Sequence, residues 1–235
     1  MARPTPEAIA ILATIDPAFN AFSKLNELGS HPVPKLTWLE FGTYESLAVD
    51  ILPGLIRNLK TKLPRLRLGL TIGRSDSLTT MIHKGELCSA LITETDDMDR
   101  FYSVAVGKDR LGLYTSARNP ILFRGPAALK NIEYGSLSPG KHGLPRYFQK
   151  FVTRLNCRKP SVTSESFEAL RAVAVDGMVA AVLPHRVASR RQDLVEITPA
   201  GETKTSGEHG IFVISQRNCD EEEANFIAGE IKRLM

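Results

Sequence analysis

The chain has 235 residues, 43% of them hydrophobic, and a formal net charge of +4 at pH 7. That is an ordinary globular composition with enough apolar material for a substantial core in one large domain or two small ones. The three cysteines, Cys88, Cys157 and Cys219, are far apart without a CxxC pair, which suggests neither a disulfide framework nor a zinc site and fits a reducing compartment. The charge is too small to establish either nucleic-acid binding or an acidic ligand.

The first element is helical. Thr5, Pro6 and Glu7 form a helix start, and Ile9, Leu12, Ile15, Phe19, Phe22, Leu25 and Leu28 recur at spacings of three and four. Pro17 interrupts this stripe and predicts a kink or two shorter helices. After a Pro-containing linker, "KLTWLEFG" alternates as a strand, followed by helical spacing from Leu47 to Leu63, with Pro53 expected to open a second helical piece. "RLRLGLTIG" reads as the next strand. "SDSLTTMIHKG" reads as a short helix capped by Ser75 or Asp76 and stopped by Gly85, and "CSALIT" as a third strand with Cys88 as a small core residue. This alternation implies a parallel sheet.

The middle of the chain holds two short strands, "FYSVAVG" and "RLGLYTS", joined by "KDR", then a Pro- and Gly-rich connection into Ile132–Leu137. Leu144–Asn156 is predicted helical. A strand ends near Thr163, Ser164 or Ser166 caps the next helix, and Gly177 stops it. Met178–Pro184 is a buried strand, "EHGIFVISQR" another, and a terminal helix follows, capped by Asp220.

No metal motif, phosphate-binding loop, dinucleotide fingerprint or nucleophile elbow is present, so neither a cofactor nor a metal is expected. The five histidines lack ligand spacing, and the basic run Arg57, Lys60, Lys62, Arg65, Arg67 and Arg74 reads as a solvated helix and strand edge. Two strand-to-helix junctions, "FGTYES" and "VTSESF", are more informative. Each sets Ser and Thr hydroxyls beside free backbone amides, a ready place for a carboxylate or another anion. Ordinary capping explains any one of Thr43, Ser46, Thr163, Ser164 or Ser166. Two such junctions in different halves of the chain strengthen the pocket reading, because ligands of open α/β sheets bind where strand ends face a cleft.

From Lys35 onward the order of elements and several phrases resemble the effector-binding domain of LysR-type transcriptional regulators. The stretch from "LTWLEFGTYESLAVDILPGLI" through "GELCSALI" is similar to that family's strand, serine-bearing turn, "LLP" helix and acidic "GELD" phrase, with Cys88 in place of the usual Asp. "SESFEALRAVAVDGMVAAVLPHRVA" is similar to a later family segment, with Asp176 and Met178 replacing the usual small residues.

The resemblance implies an α/β, two-lobed fold of the type 2 periplasmic-binding-protein kind with a preceding linker helix. The expected organisation is a linker-helix region at 1–34, lobe I at 35–95 and 208–235, and lobe II at 96–207. It further implies that the chain begins just after a winged helix-turn-helix domain, marked by "PTPEA", and that linker helices of two chains pack together. The expected cleft is lined by Thr43, Tyr44 and Ser46 from lobe I, Thr95 near the crossover, and Ser136, Ser138, Thr163 and Ser164 from lobe II. Thr43 and Ser46 would hold the anionic end of a small-molecule effector.

The implied function is the sensing and oligomerising part of a LysR-type regulator, with no catalytic residue. The expected partners are a small effector, a homodimer or tetramer, and operator DNA through the missing N-terminal domain. The absence of an apolar bilayer-length stretch and of a signal pattern points to the cytoplasm, away from any membrane. A transporter's solute-binding protein of the same fold is the alternative, and a small enzyme on the same scaffold a third, disfavoured by the absence of paired carboxylates or a His-centred triad.

Overall fold

The computed structural model describes residues 36–123, 132–155, 159–190, 193–197, 207–217 and 221–235. The expected linker helix and its kink at Pro17, the Asp220 cap, Cys157 and Cys219 lie outside these residues. Leu36–Met235 is one compact unit.

Its first half is a five-stranded sheet in the order β2-β1-β3-β10-β4. The strands are β1 (Trp38–Thr43), β2 (Arg67–Ile72), β3 (Ser89–Thr93), β4 (Tyr102–Asp109) and β10 (His209–Ser215). β1 pairs in parallel with both β2 and β3, whereas β10 runs antiparallel to β3 and β4. Helices α1 (Glu45–Lys62), α2 (Ser75–His83) and α6 (Glu221–Lys232) pack around it. The second half is the sheet β7-β6-β8-β5-β9. It is built from β5 (Leu111–Ser116), β6 (Tyr134–Leu137), β7 (Val162–Ser164), β8 (Ala180–Pro184) and β9 (Leu194–Glu196), with α3 (Arg146–Leu155), α4 (Phe167–Asp176) and α5 (His185–Ala188).

Local chemistry explains most boundaries. β3, β5 and β8 are buried along their whole length and read as continuous apolar or small runs, as strands covered on both faces do. Ser166 caps α4 by accepting a hydrogen bond from Ala169 N at 3.0 Å, and Gly177 ends that helix at φ 89°. Pro53 sits inside α1, which runs unbroken through it instead of restarting there. The junction before α1 is capped by neither Thr43 nor Ser46, since Tyr44 occupies the cap position without a side-chain bond. Likewise Arg74 precedes α2, and Asp76 Oδ1 instead accepts from Ser77 N at 2.9 Å. Cys88 is exposed, not a core residue, because the burial of Leu87 and Ser89 on either side leaves it on the outer face.

One expectation moves. The boundary at 96 put "FYSVAVG" in lobe II, but β4 pairs along its whole length with β10 and belongs to the first sheet. Its largely alternating exposure is that of an edge strand, and its antiparallel partner comes from the far end of the chain, outside any local window. The chain crosses to the second sheet at Arg110 and returns at Gly207–Glu208, where Leu111 N donates to Gly207 O at 3.2 Å. Gly207 is required by this close approach, since a Cβ there would lie 2.9 Å from both Leu111 Cβ and Phe151 Cδ2.

The basic run is partly absorbed by structure. Lys60 Nζ donates to Leu66 O, Lys62 pairs with the buried Glu230 at 2.6 Å, and the Arg67 guanidinium lies 5.6 Å from the centre of the Trp38 ring.

Candidate effector cleft

A cleft of about 570 Å³ opens between the two sheets, within the range of small-molecule sites. The first half contributes Tyr44, the outer side of α2 from Ser75 to His83, and the segment Thr93–Phe101; the second contributes Leu137, the loop Lys141–Pro145, Tyr147 and Phe167.

A chain of hydroxyls crosses it. Tyr147 OH donates to Thr93 Oγ1 at 3.2 Å, Thr93 Oγ1 lies 3.2 Å from Ser75 Oγ, and Thr93 N donates to Ser75 Oγ at 3.3 Å. Thr95 Oγ1 is buried on the same wall and has no hydrogen-bond partner among the described residues. Arg74 NH1 reaches over from α2 to donate to Ser138 O at 3.0 Å. Tyr44 OH donates to Glu165 O at 2.8 Å, and its ring meets the Phe167 ring edge-on at 5.6 Å. Burial pushes the Tyr147 phenol up to about 12 and the Tyr44 phenol higher still, so both remain proton donors at neutral pH.

Behind Tyr147 lies His209, 3% exposed and stacked on the Tyr147 ring with centroids 4.2 Å apart. Its Nδ1 sits 3.1 Å from Gly207 O, which makes Nδ1 the protonated nitrogen, and its buried Nε2 has no partner among the described residues. Burial lowers its pKa below the usual imidazole value, against smaller opposing contributions from Gly207 O, Asp109 and Glu94. The folded chain therefore binds this proton less readily than the unfolded chain does. Stability is fully present above the ordinary imidazole pKa of about 6.5 and falls as pH drops below it. Thermal unfolding followed from pH 8 to 5 should show that fall, and His209→Gln should flatten it.

Of the eight residues expected in the cleft, Tyr44 and Thr95 line it. Thr43, Ser46 and Ser136 are buried in the protein. Ser46 Oγ accepts from Arg186 NH2 at 2.8 Å. Ser138 lends backbone groups, its N donating to Ser164 O and its O accepting from Arg74. Ser164 Oγ accepts from Ser166 N at 3.1 Å, and Thr163 is exposed on β7. Reasoning from Ser and Thr at strand ends missed Arg74, Thr93, Tyr147 and Phe167. Their convergence joins residues as far apart as Thr93 and Tyr147, and no local pattern carries it.

A model of the LysR substrate binding domain matches residues 37–222. The chain belongs to this family. Among solved structures it is similar to the reduced regulatory domain of OxyR2 from Vibrio vulnificus, at 17% identity and TM-score 0.65, covering 85% of this chain and 96% of that one. It is also similar to a mutant OxyR from Corynebacterium glutamicum, at 16% identity and TM-score 0.68, covering 98% and 74%. A reduced OxyR from N. meningitidis gives 15% identity and TM-score 0.65, covering 84% and 95%. No curated protein matches the chain in sequence. The LysR substrate-binding domain is thus the effector-binding part of a LysR-type regulator, with a type 2 periplasmic-binding-protein-like fold. Among its described residues there is no cluster of metal-ligating side chains and no helix long and apolar enough to cross a membrane.

Proposed function

We propose that this LysR-type effector domain binds a small molecule with an aromatic or apolar body and an anionic end, between its two sheets, to control transcription. The observation that carries this reading is the cleft itself, with Tyr44, Tyr147, Phe167 and Leu144 as its apolar walls and a line of hydroxyls across it. Of its fixed charges, Asp76 is paired with Arg74 and Asp96 with Arg146. The lining charges other than the Arg74–Asp76 pair, Arg100 and Lys141 against Asp96 and Asp97, balance, and Arg146 beside the cleft tips that balance toward an anionic group on the ligand. Thr95 Oγ1 supplies an open hydrogen-bonding group for the ligand. The domain works without turnover, in the cytoplasm, as a homodimer or tetramer that acts on operator DNA through a separate N-terminal reading domain.

Calorimetric titration of a panel of aromatic and aliphatic carboxylates, with their neutral amides as controls, tests the site. Tyr147→Phe keeps the ring and removes the hydroxyl, so it should weaken the best carboxylate by about tenfold, the value of one good hydrogen bond. Unchanged affinity would remove Tyr147 from the site, and equal binding of amides would remove the anionic requirement. Native mass spectrometry of the same protein reads the assembly.

A further inference from the structure

Beside the cleft, the start of α1 is gripped by arginines of the second half. Arg186 NH1 donates to Ser46 O at 2.7 Å and to Asp50 Oδ2 at 3.0 Å, while its NH2 donates to Ser46 Oγ at 2.8 Å. Arg190 NH2 donates to Ser46 O at 2.9 Å and its Nε to Asp50 Oδ1 at 2.5 Å. Each guanidinium is also held from a second side. Arg190 NH1 bonds Glu168 Oε1 of α4, and Arg186 Nε lies 3.1 Å from Asp109 Oδ2 at the end of β4. The five charged side chains are between 6% and 24% exposed, so solvent and salt screen them less than a surface pair. This is a forked ion pair across the two halves, added to the cross-cleft bonds of Tyr147, Arg74 and Tyr44 and to the shared hydrophobic core.

The same two chain segments also form a cleft wall. Tyr44 lines the cleft and stands two residues before Ser46; Phe167 lines it and stands immediately before Glu168. The edge-on ring contact and the bond from Tyr44 OH to Glu165 O tie these segments to each other. Anything that parts Tyr44 from Phe167 must also move Ser46 and Asp50 relative to Glu168 and its arginine.

We propose that Ser46 and Asp50 of α1, held by Arg186 and Arg190, form a latch that keeps the two halves closed, and that cleft occupancy acts on this latch through Tyr44 and Phe167. The second clause rests on the effector-cleft reading; the latch does not. A ligand can shift the closed and open states only by its different affinity for each, and a latch of this kind sets the equilibrium it works against.

Hydrogen exchange followed by mass spectrometry on the full ligand-free chain tests this. Asp50→Asn and, separately, Arg190→Gln should each raise exchange in 46–55, 167–176 and 185–190 by roughly tenfold, as expected for one lost charge-assisted bond, with β3 and β8 unchanged. Tyr44→Phe removes no latch atom and should also raise exchange in 46–55. Unchanged exchange in both charge variants, or a uniform rise that includes β3 and β8, would overturn the latch. A rise confined to 167–176 in Tyr44→Phe would overturn the coupling. Because no ligand is used, these failures leave the cleft reading standing, and a cleft that binds no carboxylate leaves the latch standing.

Discussion

Phe167→Ala should lower the unfolding free energy by about 3–5 kcal/mol, the usual cost of emptying a fully buried aromatic site. Phe167 is 2% exposed and lies between two rings, Tyr44 at 5.6 Å and Phe148 at 6.2 Å. Phe148 is itself fully buried and cannot swing into the space without leaving its own place in the core. Typical domains have only about 5–15 kcal/mol in total, so the variant should unfold at a much lower urea midpoint with an unchanged slope. The same truncation removes a cleft wall, so carboxylate binding should be lost under conditions where the variant remains folded. Phe167→Leu, which refills most of the volume, should recover most of the stability. A variant with wild-type midpoint and wild-type binding would contradict the central place assigned to this ring.

Gly42→Val is expected to cost about 1–3 kcal/mol by overpacking. A Cβ at this position would lie 2.4 Å from Leu87 Cδ2, 2.8 Å from Leu78 Cδ2 and 3.2 Å from Ala90 Cβ. The leucine tips can rotate only against buried neighbours, because Ala90 is fixed in β3 and Leu78, Ile82, Leu87 and Ile92 are all buried. The strain therefore falls on α2, which carries Leu78 and Ile82 on one side and Ser75 and Thr79 on the cleft side. The expected signature is a stability loss together with weaker ligand binding, although no cleft residue has been changed. Urea unfolding and carboxylate titration of the single variant read both. A destabilised protein with intact affinity would show that α2 is not strained as a unit.

The alternation of strand and helix was plain because it is local. The burial of β3 and β8 follows from their apolar runs, the stop at Gly177 from its freedom at positive φ, and a serine cap from the two hydroxyls ahead of that helix, of which Ser166 is the one bonded to a free amide. The ordered phrases from "LTWLEFG" to "VLPHRVA" are likewise visible without coordinates. What the sequence hid is long-range. The partner of β4 is β10, about a hundred residues away, so the crossing point was placed at 96 instead of Arg110. Hydroxyls at helix starts suggested Ser46 as a ligand contact, but its oxygens face the guanidiniums of Arg186 and Arg190, 140 and 144 residues further on. Tyr147 and Arg74 gave no signal, since an isolated tyrosine or arginine has no spacing that marks a cleft.

The two passages between the sheets lie side by side. Arg110 alone separates β4 from β5, the returning strand begins beside it with His209 opposite Asp109, and Leu111 N is bonded to Gly207 O. Sliding one half over the other would drag on both passages, at Arg110 and at Gly207–Glu208, whereas turning about a line through both leaves them in place. Within Leu36–Met235 the line through these two passages is the geometric pivot between the sheets, about which a small angle becomes a larger displacement at the far rim. Substitutions around Gly207 should therefore alter the amplitude of the motion without touching what triggers it.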